Sequence, residues 1–89
     1  MIKRVYVAQE SIINGDEFIL DICATAQEAM EAVKDSKAHT TRQEAQRREW
    51  FICAWDMEVS EGQSLFNAYR EWSLGQMCTP DPVEYIPCK

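Results

Sequence analysis

The first quarter of the chain alternates apolar and polar residues on either side of Asn14-Gly15. This dipeptide favours a two-residue type I′ turn, because both central positions of that turn need positive φ. The pattern predicts a β-hairpin in which Val7 pairs with Ile22 and Gln9 with Leu20. One side of such a hairpin is apolar and the other is mixed. The apolar side would carry Val5, Val7, Phe18, Leu20 and Ile22.

Two amphipathic helices are predicted from capping sequences and helical spacing. TAQE at residues 25–28 fits a capping box and leads into apolar residues spaced i, i+3, i+4 and i+7. We expect this helix to cover the apolar side of the hairpin. SEGQ at residues 60–63 begins a similar pattern, and Gly75 falls where that helix would end.

Residues 50–59 carry large side chains on both faces, which is typical of a central strand. TRQE at residues 41–44 also fits a helix cap, but Ala45 is the only apolar residue between it and Trp50. The segment 37–49 is therefore either a solvated helix or a loop. All three prolines lie within residues 76–89, which we expect to be extended or irregular.

These elements predict a single α+β domain over residues 1–75, followed by an irregular, proline-containing C-terminal tail over 76–89. The predicted order is β-β-α-(α)-β-α, with a small three-stranded antiparallel sheet packed with two to three helices. The length of 89 residues allows one hydrophobic core, and the 46 % hydrophobic content is that of a globular protein.

Net charge and residue inventory exclude several function classes. A charge of −6 is opposite in sign to the basic surface of a phosphate-binding protein, so direct nucleic-acid binding is disfavoured. The chain has one histidine, three glycines and no recognisable catalytic or phosphate-loop motif. We therefore predict no enzyme, no catalytic residue, no metal and no cofactor. With no long apolar run and no signal-like N-terminus, we expect a cytoplasmic protein without membrane contact.

The four cysteines lie in different segments and lack the CxxC spacing of zinc or redox sites. Cys23 and Cys53 fall in apolar runs, where a thiol usually packs as a small hydrophobe. Cys78 and Cys88 flank two prolines and could pair under oxidising conditions. A cysteine-based metal or redox module is therefore retained as an alternative function.

Charge is unevenly distributed along the chain. Residues 1–24, 25–36 and 50–89 sum to −2, −2 and −4, whereas residues 37–49 sum to +2. The acidic groups could form a surface that binds a lysine- and arginine-rich cleft, or they could be an ordinary solvated face. The candidate acidic surface comprises Glu28, Glu31, Asp35, Asp56, Glu58 and Glu61.

A second candidate surface combines aromatic and basic residues. We expect Trp55 and Trp72 to lie in the core, whereas the sequence leaves the exposure of Trp50 open. An exposed Trp50 beside Tyr6 would form a binding patch on the outer sheet face. The basic segment 37–48 gives an alternative function, a small nucleic-acid-binding regulator. Open sheet edges also allow a homodimer by strand addition. The patch comprises Tyr6, Arg42, Arg47, Arg48 and Trp50.

In size, acidity and layout the chain resembles the small accessory proteins of bacteriophages and other mobile elements, including anti-CRISPR inhibitors. The shared features are the Asn14-Gly15 hairpin, the capped helix beginning at TAQE, and the Trp-rich strand from Trp50 to Trp55. The resemblance implies a non-enzymatic inhibitor of a host nucleic-acid-handling defence complex, such as a nuclease or CRISPR effector, that acts by stoichiometric protein–protein binding in the host-cell cytoplasm. It assigns no site residues, because such inhibitors share no common site.

Overall fold

The computed structural model describes residues 1–88 and contains one antiparallel sheet with helices on both faces. The predicted α+β class is therefore confirmed. Within the described residues, no helix is both long enough and apolar enough to cross a membrane. The elements are β1 Ile2–Ile12, β2 Glu17–Cys23, α1 Ala26–Ala38, α2 Arg42–Ala45, β3 Arg48–Glu58, α3 Leu65–Leu74 and β4 Glu84–Cys88.

The sheet has four strands in the order β2-β1-β3-β4, rather than the predicted three. The additional strand is β4, which lies within the segment predicted to be extended or irregular and pairs with β3 from Trp50 opposite Cys88 to Ala54 opposite Glu84. Pro87 is tolerated because β4 is an edge strand and one of its sides needs no hydrogen-bonding partner. The prediction of β3 as a central strand is confirmed, since it pairs with both β1 and β4.

The predicted hairpin is present, but the prediction of a two-residue turn is wrong. The backbone N–H of Ile12 donates to the carbonyl oxygen of Asp16 at 3.0 Å, which leaves three residues in the loop, and of these only Asn14 has positive φ, at 61°. Val7 pairs with Ile22 as predicted, but a β-bulge then places Gln9 opposite Ile19. The extra residue at Leu20 breaks the two-residue alternation of β2, so Leu20 and Ile22 join different cores.

One face of the sheet packs against α3. Val5, Val7 and Trp55 are buried there among the aromatic side chains of α3. The Trp55 ring centroid lies 5.4 Å from that of Trp72 and 6.2 Å from that of Tyr69, at the tilted angles that aromatic pairs prefer. The prediction that Trp55 and Trp72 belong to the core is confirmed.

The opposite face of the sheet packs against α1, which corrects the expected position of this helix. Ala29 and Val33 are the buried residues of α1, and they pack in a cluster with Ala8, Cys23 and Ile52. This cluster combines the small residues Ala8 and Cys23 with the large side chains of Trp50 and Ile52, whereas Tyr69 and Trp72 of α3 pack on the Val5/Val7 face. The hairpin alone could not show this, because β3 supplies large apolar residues to both faces.

The helix ends follow the predicted caps with one exception. Thr25 caps α1, and Thr41 forms a full capping box on the four-residue α2. The cap of α3 is Ser64 rather than the predicted Ser60, with its hydroxyl accepting from the N–H of Asn67 at 3.2 Å. Gly62 has φ +78°, a left-handed conformation that ends any helical path from Ser60.

Candidate functional site

The outer side of α1 carries three of the predicted acidic residues. Glu28, Glu31 and Asp35 are spaced by three and four residues, so they share one helix face, and all three are exposed. Glu28 and Glu31 form no ion pair with any residue from 1 to 88, and Asp35 lies 3.7 Å from Nδ1 of His39. None of the three forms an ion pair with a lysine or arginine of residues 1–88, and the exposed Lys34 is the one cationic residue between Glu28 and Asp35. We call the three carboxylates the α1 acidic face.

The other three predicted acidic residues lie at and beyond the C-terminal end of β3, and two of them are paired. Nε of Arg4 donates to Asp56 at 3.0 Å, and this hydrogen bond and the guanidinium charge lower the pKa of Asp56. Glu58 pairs with the amino group of Met1. Glu61 is exposed, with no ion pair among residues 1–88. The six residues therefore form two groups. Within residues 1–88, the α1 group forms no ion pair with lysine or arginine, whereas Asp56 of the second group pairs with Arg4.

Tyr6 helps to attach β4 to the sheet. Its hydroxyl donates to Oε2 of Glu84 at 2.7 Å, and this bond and partial burial raise the pKa of Tyr6. Arg4 lies 3.5 Å from the same carboxylate. Tyr6 is half-buried and occupied by this contact, so it does not offer an open aromatic surface.

Trp50 is only 7 % exposed, which rules out its predicted place in an aromatic patch on the outer face. Its Nε1 donates to Oγ of Ser36 at 3.2 Å, and Nζ of Lys37 lies 5.3 Å from its ring centroid. Both contacts come from α1, the helix that covers this face. The sequence showed the alternation of β3 but not which helix would lie above Trp50.

Arg48, in the basic segment, forms ion pairs within the fold. It pairs with Glu10, which is 6 % exposed, and with Glu44 at 3.2 Å. Arg42 and Arg47 are exposed and form no ion pair with the described residues. Two unpaired arginines on an otherwise acidic chain give little electrostatic support for nucleic-acid binding.

All four cysteines are free thiols, including Cys78 and Cys88. Burial raises the pKa of Cys23 to about 12 and also raises that of Cys53, the opposite of what a reactive thiolate needs. Among residues 1–88, no three or more potential ligand residues lie together as a metal site would require. These features give no support to the metal or redox alternative.

A groove on the α3 side of the sheet was not predicted from the sequence. It encloses about 390 Å³ between β2, β3 and the C-terminal segment, and Gln9 is part of its lining. Gln9 is 8 % exposed, and its side-chain amide forms no hydrogen bond with any described residue. We call this feature the Gln9 groove. Its further lining residues include Glu17, Ile19, Phe51, Cys53, Tyr69 and Pro80.

One sequence signal for this groove exists in retrospect. Gln9 continues the alternation of Val5 and Val7, so it is a polar residue on an otherwise apolar strand face. A polar residue at a core position usually has a hydrogen-bonding partner or a function. The sequence alone could not show that α3 stops short of it.

Both edges of the sheet carry features that disfavour further strand pairing. On β2 the bulge interrupts the edge, and the Asp21 carboxylate accepts from the backbone N–H of Ile22 at 2.8 Å. On β4 Pro87 has no N–H to donate. A bulge, an edge N–H that is already hydrogen-bonded and an edge proline each hinder the addition of another strand. These edges therefore give no support to a homodimer formed by strand pairing.

The chain matches no protein-family model, no curated protein and no solved structure. Its function is therefore inferred from the chemistry of its own surface.

Proposed function

We propose that this chain is a non-enzymatic binding protein that inhibits or regulates a protein partner. The partner class we favour is a complex that handles nucleic acid, such as a nuclease or CRISPR effector, and the contact surface is the α1 acidic face. The observation that carries this proposal is the set of three exposed carboxylates on one helix side, unpaired with lysine or arginine.

The physical basis is electrostatic complementarity. A cleft that normally holds DNA or RNA phosphates is lined with lysine and arginine, and carboxylates at a similar spacing compete for those cations. A helix holds its side chains at fixed spacing, so less conformational entropy is lost on binding than with a flexible acidic tail. Opposite charges also raise the association rate, more strongly at low salt.

The test measures cleavage of a DNA target by purified, guide-loaded CRISPR effector complexes while the protein is titrated in. We expect inhibition that saturates at a fixed molar ratio and weakens as salt concentration rises. The variant Glu28→Gln/Glu31→Gln/Asp35→Asn should raise the inhibitor concentration required by about tenfold or more, since three charge-assisted contacts are lost.

The matched control is Asp16→Asn/Glu49→Gln/Asp81→Asn, which removes three exposed carboxylates elsewhere on the chain. Both triple variants change the net charge from −6 to −3, so a difference between them reports position rather than total charge. Equal weakening by both variants, or no inhibition of any complex in the panel by the unmodified protein, would contradict the proposal.

A further inference from the structure

The Gln9 groove lies on the opposite face of the sheet from α1, and it combines an apolar lining with an unused polar group. Ile19, Phe51 and Tyr69 are among the side chains that line it, and the ring of Phe51 is held 5.8 Å from that of Tyr85 on β4. Ile19 is 50 % exposed, with Tyr69 of α3 lining the same groove. The groove is therefore an open apolar surface on a rigid β-sheet floor.

Gln9 is the polar group within it. Its amide has one acceptor oxygen and two N–H donors, and none of them is bonded to a described residue. No fully enclosed side-chain nitrogen or oxygen of residues 1–88 lacks a partner, so the Gln9 amide reaches solvent through the groove it lines. An occupant that covers Gln9 must satisfy this amide, because an unbonded polar group under an apolar cover is costly.

The charge at the groove favours a cationic occupant. Glu17 is the only charged residue in its lining, and this carboxylate forms no ion pair within residues 1–88. The effect of Glu17 reaches into the groove, since its charge adds to burial in raising the pKa of the Cys53 thiol. Asp16 and Asp81 are exposed and adjoin the groove residues Glu17 and Pro80 in the chain. Their negative charges disfavour ligands that carry phosphate.

We propose that the Gln9 groove binds an extended peptide segment of a partner protein that carries an apolar side chain two residues away from a lysine or arginine. The Gln9 carboxamide accepts from one peptide N–H and donates to the adjacent peptide carbonyl. The apolar side chain packs on Phe51 and Tyr69, and the basic side chain pairs with Glu17. These contacts lie on the face of the sheet, so they use the Gln9 side chain rather than an open strand edge.

A second groove supports an extended rather than a compact occupant. It encloses about 310 Å³ between β2 and α3, shares Ile19 and Tyr69 with the Gln9 groove, and includes the exposed Phe66 and Leu74. In an extended peptide, residues i and i+2 project to the same side about 6.7 Å apart, so side chains two residues apart can enter the two grooves. Arg70 is the charged residue in the lining of this second groove and does not line the Gln9 groove.

The test screens the full chain against a displayed library of random dodecapeptides and measures the affinity of enriched peptides by fluorescence anisotropy. We expect the enriched peptides to share an apolar or aromatic residue two positions away from a lysine or arginine. Gln9→Leu should keep or raise thermal stability, because it places an apolar side chain on an apolar face, yet weaken peptide binding about tenfold or more. N-methylation of the contacted peptide amide should weaken binding to the unmodified chain but not to Gln9→Leu.

Two further variants complete the test. Glu17→Gln should weaken binding about twofold to fivefold and reduce its salt dependence, since one exposed charge pair is lost. The α1 triple variant should bind the peptides unchanged, which separates this proposal from the proposed inhibition through α1. The proposal is overturned if no peptide is enriched, if Gln9→Leu binds as tightly as the unmodified chain, or if the groove mediates self-association that Gln9→Leu abolishes.

Discussion

Arg48 is expected to stabilise the fold rather than to bind a ligand, and Arg48→Ala tests this. Removing its guanidinium leaves Glu10 beneath α1 without its cationic partner. Among residues 1–88, Oγ of Ser36 at 3.4 Å is then the one side-chain group that still hydrogen-bonds to this carboxylate. The matched perturbation is Arg47→Ala, which removes the same side chain from an exposed position with no ion pair to described residues.

The expected magnitude follows from the burial of the pair. Removing one partner of a fully buried ion pair costs about 3–5 kcal/mol. The Arg48 side chain is 27 % exposed, so water can enter where it is removed and solvate part of the Glu10 charge. We therefore expect Arg48→Ala to lower the free energy of unfolding by about 2 kcal/mol, against less than about 0.5 kcal/mol for Arg47→Ala.

The assay is urea denaturation at pH 7 followed by tryptophan fluorescence, with thermal unfolding by circular dichroism as a second measurement. For a domain of this size, about 2 kcal/mol corresponds to a Tm lowered by roughly 8–16 °C. The double variant Glu10→Gln/Arg48→Ala should recover about 1 kcal/mol, because a neutral amide is less costly than an unpaired carboxylate in the same position.

Equal stability of the two single variants would refute this reasoning and would place Arg48 in solvent. The same experiment bears on nucleic-acid binding through the basic segment. If Arg48→Ala is destabilised as expected, a loss of binding in that variant reports unfolding, and only Arg42→Ala and Arg47→Ala test a direct contact.

Three further predictions concern the core, the α3 cap and the pH dependence. Ile52→Ala should cost about 2–5 kcal/mol of unfolding free energy because Ile52 is fully buried, whereas Ile2→Ala, at an exposed site, should change it little. Ser64→Ala should cost about 1 kcal/mol and Ser60→Ala much less, since Ser64 is the cap; the reverse order would restore the sequence-based assignment. The hydrogen bond from Arg4 lowers the pKa of Asp56. The Asp56 carboxylate therefore stabilises the fold above its unfolded-state pKa of about 3.9, and this contribution is lost as pH falls through its folded-state pKa. In denaturation series at different pH values, Asp56→Asn should therefore reduce the loss of unfolding free energy below about pH 5. An unchanged loss would show that the Arg4–Asp56 pair is not its cause.

Local signals in the sequence were sufficient for most individual elements. The hairpin, the caps at Thr25 and Thr41, and the central position of β3 each depend on residues close together in the chain, so their patterns could be read directly. The acidic side of α1 is equally local, because helical spacing alone fixes which side chains share a face. The sequence also placed Trp55 in the core through its position on the apolar side of β3.

The tertiary structure decided what covers each face and which charges remain free. A bulge at Leu20, the choice of sheet face by α1 and the pairing of β4 all depend on contacts between distant segments. The sequence does not show that Arg48 and Glu10 form an ion pair. It places Gln9 on an apolar strand face but does not show that a groove lies over it. Alternation and spacing specify which residues share a face, whereas packing between elements determines which face becomes buried and which stays available to a partner.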